Sequence, residues 1–278
     1  MRAFWVVITM WWSLLQLAAQ SPFVNVTTDL KTALKNPETT YHLKLENVWL
    51  SEKDVAKIAR LENLQTLTLI DNSLDSFPRV WCNLSRLMEL KIIKNPIKNL
   101  PPEFVNIYNL RKLTLQETAL DSLPFTFSFL YRLNEFNLLN NKNEISLPEN
   151  MHYLKSLREL KIVNTPLDTL PDSLFFCKKL KTLILYNDSI TVLPETIGKA
   201  KSLETLILDK NKITKLPRSF YHLRNLNYCS LEDNRITEIS EEAVNFQELY
   251  EWNLKGNSIG PEQLDIIRIL LPKCKILY

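Results

Sequence analysis

The sequence predicts a repeat solenoid, that is, one elongated domain made of short units that stack on one another. The unit that shows the pattern best runs from Leu203 to Leu226. If its first leucine is position 0, apolar residues stand at positions 3, 5 and 10, an asparagine at position 8 and Leu-Pro at positions 13 and 14. A unit this short cannot enclose a hydrophobic core alone, so it must stack on its neighbours.

The regular spacing of the units is the second observation. Successive opening leucines are 23 residues apart, except for one interval of 24. The extra residue of that interval falls within Asn141–Pro148, before the Leu-Pro pair, where a turn can absorb it without disturbing a strand. The opening residues are Leu64, Leu87, Leu110, Leu133, Leu157, Leu180, Leu203, Leu226 and Leu249.

Proline is the third observation, because half of the 14 prolines recur at one place in the unit. Each follows a leucine or, in the first case, a phenylalanine. Proline lacks an N–H group and has a fixed φ, so this part of the unit cannot be a central strand. It predicts the extended or turn-like back of each coil. The seven residues are Pro78, Pro101, Pro124, Pro148, Pro171, Pro194 and Pro217.

The frame L-x-x-L-x-L-x-x-N-x-L-x-x-L-P resembles the leucine-rich repeat family, in its form of about 23 residues, over nearly all of residues 40–278. The resemblance implies an α/β repeat solenoid, a curved right-handed horseshoe with a parallel β-sheet on the concave face and short helical or irregular convex segments. It also implies a ladder of position-8 side chains that bond the backbone of neighbouring coils. These are Asn72, Asn95, Asn141, Asn211, Asn234 and Asn257, with Thr118, Thr165 and Asp188 as substitutes expected to weaken the ladder locally.

Four segments are predicted along the chain. Residues 1–20 hold Arg2 and an apolar run too short to span a membrane, a combination typical of a secretory signal peptide. The caps resemble those of secreted bacterial members of the family, since they lack the cysteine-rich flanks of animal extracellular members. Residues 21–39 are predicted to form an N-terminal cap with a helix at Thr27–Pro37. Residues 40–259 are predicted to form about ten repeats, with a helix at Glu52–Leu61. Residues 260–278 are predicted to form a C-terminal cap with a helix at Gly260–Pro272 and a strand at Lys273–Tyr278.

The four cysteines are predicted to be buried, unpaired thiols. Cys82 and Cys177 lie four repeats apart, which at a strand spacing of about 4.8 Å is roughly 19 Å, beyond the ~7 Å Cα separation that a disulfide allows. Cys229 occupies position 3, where a free cysteine behaves as a small hydrophobic residue. Cys274 falls about two repeats further on.

No catalytic or cofactor motif is present in the sequence. The only three glycines come late, which excludes glycine-rich phosphate-binding loops, and the three histidines fall in different repeats at different positions. H-E-x-x-H, C-x-x-C and G-x-S-x-G are all absent. We therefore expect no enzyme activity, no metal and no cofactor. The net charge of +3, spread without a run of like charges, also predicts no nucleic-acid partner and no membrane partner after signal cleavage.

The candidate site is the concave face of the predicted sheet. Side chains of a strand alternate, so positions 3 and 5 face the core and positions 2, 4 and 6 face the concave side. Position 6 is apolar or aromatic in five of the six repeats from Ile70 to Tyr186, and contiguous exposed apolar surface is typical of interaction sites. The predicted partner-binding residues are Ile70, Ile93, Leu139, Val163, Ile184, Tyr186, Ile207, Asp209, Tyr228 and Glu232.

These observations predict a secreted or periplasmic, non-enzymatic recognition module that binds a protein or peptide. Two other functions stay open at this point: a structural solenoid that assembles face to face with itself, and an intracellular scaffold resembling the Ras-associated members of the family if residues 1–20 are no signal. The apolar row could also be ordinary strand composition shielded by Lys91, Lys112 and Lys161. Asn-x-Ser/Thr acceptor sites stand at Asn25, Asn83 and Asn187.

Overall fold

The computed structural model describes residues 26–167 and 169–278. Its centre is one parallel sheet of eleven strands, in which each strand pairs with the next along the chain. The sheet is open and curved, so the predicted horseshoe is confirmed. The strands are β1 (His42–Glu46), β2 (Thr66–Ile70), β3 (Glu89–Ile93), β4 (Lys112–Gln116), β5 (Glu135–Leu139), β6 (Glu159–Val163), β7 (Thr182–Tyr186), β8 (Thr205–Ile207), β9 (Tyr228–Ser230), β10 (Glu251–Asn253) and β11 (Lys275–Leu277).

Most of the convex side consists of single 3₁₀ turns, six of which begin directly after one of the recurrent prolines. Pro101, for example, is extended, with φ −69° and ψ 154°, and its carbonyl accepts from the N–H of Phe104 at 2.9 Å. The proline position is therefore extended, as predicted. The turns are Pro37–Thr39, Arg79–Asn83, Pro102–Asn106, Phe125–Phe129, Met151–Tyr153, Asp172–Phe176, Glu195–Lys199, Arg218–His222 and Glu241–Asn245.

The core lies between the sheet and these turns. Strands β2 to β6 alternate half-buried or exposed side chains with buried ones, and the buried ones are positions 3 and 5. The opening leucines, such as Leu157 and Leu203, are fully buried. Burying a leucine contributes about 1.5–3 kcal/mol. Because each repeat shares these contacts with the repeats on both sides, the stack supplies the core that one unit lacks.

The asparagine ladder runs between neighbouring coils as the resemblance implies. Asn95 shows the full arrangement: its Oδ1 accepts from the N–H groups of Asn72 and Leu74, and its Nδ2 donates to the carbonyls of Leu69 and Ile93. Thr165 takes part through its hydroxyl, which accepts from the N–H of Asn141 at 3.1 Å. A threonine hydroxyl makes fewer such bonds than an amide, so substitution thins the ladder without breaking the stack.

A column of left-handed residues at position 7 was not predicted. In ten successive coils this residue has φ between 49° and 68°, and in the first nine its N–H donates to the position-6 carbonyl of the following coil, as from Asp71 to Ile93 at 2.9 Å. The left-handed region tolerates asparagine, aspartate and glycine best. The column is Asn47, Asp71, Lys94, Glu117, Asn140, Asn164, Asn187, Lys210, Asp233 and Gly256.

Helices close the two ends of the described chain. Helix α1 (Leu30–Lys35) begins later than predicted because the Asp29 side chain caps it, and Thr27 bridges to β1 instead. Helix α2 (Glu52–Ile58) starts at a capping box and is shorter than predicted. Helix α3 (Pro261–Leu270) covers the last repeats, and β11 extends the sheet. The predicted signal peptide, residues 1–20, lies outside the described residues.

The cysteines are unpaired, as predicted. Cys82, Cys177 and Cys229 are buried, whereas Cys274 is only partly buried because it follows the terminal helix at the end of the stack. Burial raises the pKa of Cys82 to about 11 and that of Cys177 to about 12. Both thiols therefore stay protonated at neutral pH, which makes them poor nucleophiles.

Candidate functional site

An apolar row crosses the concave face at position 6, where the parallel register brings equivalent residues of neighbouring strands side by side. Ile70 lies beside Ile93, and Leu139 beside Val163, which in turn lies beside Tyr186. Gln116 interrupts the row between Ile93 and Leu139. All five apolar members are half-buried, so part of each side chain remains open to a partner. We call Ile70, Ile93, Leu139, Val163 and Tyr186 the concave row.

The lysines expected as possible shields are bound to carboxylates. Lys91 contacts Glu89 at 2.7 Å, Lys112 contacts Glu135 at 2.9 Å, and Lys161 contacts Glu159 at 3.3 Å. The three carboxylates stand at position 2, four residues before the concave row at position 6, whereas Lys91 and Lys161 stand at position 4, two residues before it. These ion pairs therefore direct Lys91 and Lys161 toward position 2, away from the concave row.

Ile184 and Ile207 are less accessible than predicted. They pair with each other across β7 and β8 and are 5% and 9% exposed. On the concave side of a curved sheet, side chains of neighbouring strands converge, and Lys161 and Ser230 flank the pair on the adjacent strands. The expectation that both side chains are exposed to solvent is wrong. In the structure they point to the concave side and are buried by their neighbours.

An acidic group follows the concave row toward the C-terminus. Asp209 accepts from the backbone N–H of Glu232 at 2.9 Å, and Asn253 donates to the carboxylate of Glu232 at 2.8 Å. Burial raises the pKa of Asp209 to about 6, with a further contribution from the negative charges of Glu232 and Asp233. These carboxylates are held in place by the protein, so they present a fixed negative charge at neutral pH.

Tyrosines join the concave row to the acidic group. The ammonium group of Lys210 lies 5.3 Å from the ring centre of Tyr186, a distance at which a cation is attracted to the ring face. Tyr228 is half-buried, and its ring centre lies 6.4 Å from that of Tyr250. Burial raises the pKa of Tyr228 to about 12, so its hydroxyl remains a hydrogen-bond donor. The face thus changes from apolar to aromatic to acidic along its length.

A row of amide side chains at the rim of this face was missed by the sequence analysis. Asn164 donates to the side-chain oxygen of Asn140 at 2.8 Å, and Asn187 donates to that of Asn164 at 2.9 Å. The signal in the sequence is asparagine at position 7 in three successive repeats. A glycan attached to Nδ2 of Asn187 would replace one of its two hydrogens and place the sugar beside this row.

The histidines and other potential metal ligands of the described residues are not gathered at one site. No cluster of three or more histidine, cysteine, aspartate or glutamate side chains within them could hold a metal ion. His42 lies in β1, His152 in a convex turn and His222 in another turn three repeats further on. The site is therefore a shaped, partly apolar and partly acidic face.

Several known proteins resemble this chain. The family model described as leucine rich repeat matches residues 155–213 and 201–259. The internalin InlF of Listeria monocytogenes has a similar structure, with 18% identity, a TM-score of 0.67, and coverage of 91% of this chain and 77% of that one. No curated protein sequence matches the chain.

Two plant receptors also have similar structures. The plant peptide hormone receptor RGFR1, in complex with RGF2, is 24% identical with a TM-score of 0.62, covering 85% of this chain and 42% of that one. The ectodomain of the receptor kinase GASSHO1/SCHENGEN3 from Arabidopsis thaliana, in complex with CASPARIAN STRIP INTEGRITY FACTOR 2, is 24% identical with a TM-score of 0.58, covering 86% and 32%. This chain spans less than half of either receptor chain. The repeat frame, the in-register parallel sheet, the asparagine ladder and the similar structures together show that this chain has the leucine-rich repeat fold, and residues 155–259 match the leucine rich repeat model.

Proposed function

We propose that the chain is a secreted, non-enzymatic recognition module that binds a protein or peptide across its concave face. The observation that carries the proposal is the concave row: five apolar or aromatic side chains, aligned across strands β2 to β7 and only half-buried. A row of this kind removes apolar area from water when a partner covers it, which is the main source of favourable binding energy.

The charged groups beside the row favour an oriented ligand. Ion pairs of Lys91 and Lys161 with their glutamates lie beside the row on strands β3 and β6, and Asp209 and Glu232 lie at its C-terminal end. Such groups select among partners and set their direction more than they add affinity. The ligand that fits is an extended segment with apolar side chains and a basic group near the Asp209 end.

The similar structures support this proposal at the level of the fold. One is a receptor for a peptide hormone and another was solved with an integrity factor bound. Both show that a solenoid of this shape can present a surface to a ligand. At 24% identity the likeness to these receptors concerns the fold, so the ligand proposed for this chain is argued from its own concave residues.

Secretion is part of the proposal and rests on the sequence of residues 1–20, which ends in Ala-Ala-Gln before Ser21. No helix within the described residues is long and apolar enough to cross a membrane. We expect the protein recovered from culture medium of its native host to begin near Gln20 or Ser21. N-terminal sequencing measures this, and protein retained inside the cell with residues 1–20 intact contradicts secretion.

The concave row is tested by substitution. Ile93→Asp combined with Val163→Asp places two carboxylates in the row, and we expect this variant to lose capture of the extracellular proteins or displayed peptides that the wild type retains. Val192→Asp is the matched control, because Val192 is 70% exposed and lies on the back of the solenoid. Each variant is assayed for retained ligand after its thermal unfolding has been measured.

A second variant protects this test against a folding defect. Ile93→Thr with Val163→Thr keeps the β-branched shape that suits a strand and removes only part of the apolar surface. We expect intermediate capture from this pair. Equal capture by the wild type and both double variants would contradict the proposal.

A further inference from the structure

A basic edge lies on the solenoid just before the strands begin. For each opening leucine from Leu87 to Leu226, it consists of the four residues before that leucine and the one residue after it. These positions hold eleven lysines and arginines and one acidic residue, Glu204. All eleven cations are exposed. Since the whole chain has a net charge of +3, the rest of the molecule carries an excess of acidic residues.

Backbone hydrogen bonds place these residues directly beside one another. The N–H of Arg158 donates to the carbonyl of Asn134 at 2.8 Å, and the N–H of Lys181 donates to that of Arg158 at 2.9 Å. The same bond repeats from coil to coil along the edge. Cations that stand 20 or more residues apart in the sequence are thus gathered on one side of the protein.

Most of the cations on this edge have no acidic partner. Lys181 forms an ion pair with Glu204 at 2.6 Å. In the described chain, Arg111, Arg158, Lys178, Lys179, Lys199 and Arg224 form no ion pair. The lysines of the concave face differ, because Lys91, Lys112 and Lys161 all contact glutamates. The edge therefore keeps an uncompensated positive field, which attracts an anionic surface.

Exposed aromatic rings stand among these cations. Phe129 packs against Phe125 and Tyr153, with ring centres 5.7 and 5.1 Å away, and Phe176 occupies the position equivalent to Phe129 two coils further on. Phe125 is 62% exposed and Phe176 is 48% exposed. Phenylalanine has no polar group, so the exposure of its ring to water is unfavourable. Grouped exposed apolar side chains are typical of interaction sites, so this cluster is a second feature that indicates a partner.

We propose that the basic edge docks the protein on an anionic lipid surface, with the aromatic cluster entering the headgroup region. Aromatic side chains favour that region, and lysines and arginines near it are attracted to acidic lipids. Single-stranded nucleic acid fits less well, because it needs open ring faces for stacking, and these rings pack against one another at 76° and 42°. This proposal replaces the sequence-based expectation of no membrane partner, and it leaves the concave face free.

The test is sedimentation of the full chain with phosphatidylcholine vesicles that contain phosphatidylserine, compared with phosphatidylcholine vesicles alone. We expect binding to the acidic vesicles only, weaker at high salt. The triple variant Lys178→Glu, Lys179→Glu, Lys199→Glu should bind at least about tenfold more weakly. The control variant Lys98→Glu, Lys142→Glu, Lys212→Glu changes the net charge equally away from the edge and should bind nearly as well as the wild type.

A second pair of variants tests the aromatic cluster. Phe129→Ser with Phe176→Ser should weaken vesicle binding several-fold and leave binding of a heparin-derived oligosaccharide or a single-stranded DNA oligonucleotide unchanged. Ile93→Asp with Val163→Asp should bind vesicles like the wild type, so failure here is separate from failure of the concave site. Absent or lipid-independent vesicle binding, equal losses in both charge variants, or binding of the oligonucleotide or oligosaccharide alone would overturn the proposal.

Discussion

Asp188 is the residue whose chemistry departs most from its neighbours. It occupies the ladder position that is asparagine in six other repeats, and it is fully buried. Its Oδ1 accepts from the N–H of Thr165 at 2.9 Å, whereas its Oδ2 has no partner among the described residues. In Asn211, one coil further on, Nδ2 donates to the carbonyls of Leu185 and Asp209. A carboxylate cannot donate, so Asp188 replaces asparagine well only when it is protonated.

The protonation of Asp188 makes stability depend on pH. Burial raises its pKa to about 8 from an ordinary value of 3.8. Its contribution to stability is therefore complete below pH 3.8 and is lost as the pH rises through about 8. Between these two values the carboxyl is ionised in the unfolded chain and protonated in the folded one, so folding must take up a proton. The slope is at most about 1.4 kcal/mol per pH unit.

We therefore predict that Asp188→Asn raises the free energy of unfolding, and that the gain is roughly 2–4 kcal/mol larger at pH 8 than at pH 4. Urea unfolding at the two pH values measures the difference. Asp121→Asn, at an exposed position, serves as the control and should show little change at either pH. A gain for Asp188→Asn that does not vary with pH would contradict this account.

At the scale of the elements, the turn that follows each strand depends on the left-handed residue at position 7. Gly256 ends this column with φ 68°. A Cβ atom added there would lie 2.2 Å from Oδ1 of Asp233, the equivalent residue of the preceding coil. The turn thus constrains both the backbone angle and the space beside it.

For that reason we predict that Gly256→Ala lowers the free energy of unfolding by about 1–2 kcal/mol. Gly260→Ala is the matched control: φ at Gly260 is −69°, and an added Cβ has open space. Thermal or denaturant unfolding of the two variants gives the comparison. The turn argument fails if Gly260→Ala is as destabilising as Gly256→Ala.

The strands themselves could be predicted from the sequence because apolar residues recur at positions 3 and 5. A spacing of two residues places both side chains on one face of a strand, and this is the face that the structure buries. The recurrent proline predicted the extended convex segments for an equally direct reason, the missing N–H. The left-handed column could not be predicted from hydrophobic periodicity. Lys94, Glu117 and Lys210 adopt this conformation although lysine and glutamate do not favour it, because the bond from their N–H to the next coil requires it.

At the scale of the whole molecule, the sequence predicts the solenoid but not how its surfaces are divided. Ile184 and Ile207 point to the concave side, as the alternation predicts, yet curvature and neighbouring side chains bury them. The basic edge does not stand out in the sequence as a run of charge, since only one to three of its members occur in each repeat. Only the stacking of the coils brings Arg158, Lys178 and Lys199 together. In a repeat protein, charged residues are therefore better counted over equivalent positions of successive repeats than over consecutive residues of the sequence.

The two proposed surfaces lie on different sides of the solenoid and make separate demands on a partner. The concave row with its acidic end suits an apolar, basic ligand, whereas the basic edge suits acidic lipid. Because the whole stack is one rigid sheet, a protein held by its edge would keep the concave face open to solution. Losing either surface should leave the other intact.

The central claim is that the concave row is where a protein or peptide binds. Hydroxyl-radical footprinting of the protein with and without a captured ligand tests it most directly, because it reports which side chains the ligand covers. We predict protection of Ile93, Val163 and Tyr186 with unchanged labelling of Val192 and Ile269, both exposed and off the concave face. Protection confined to residues outside the concave face, with the concave row labelled as in the free protein, would contradict the claim.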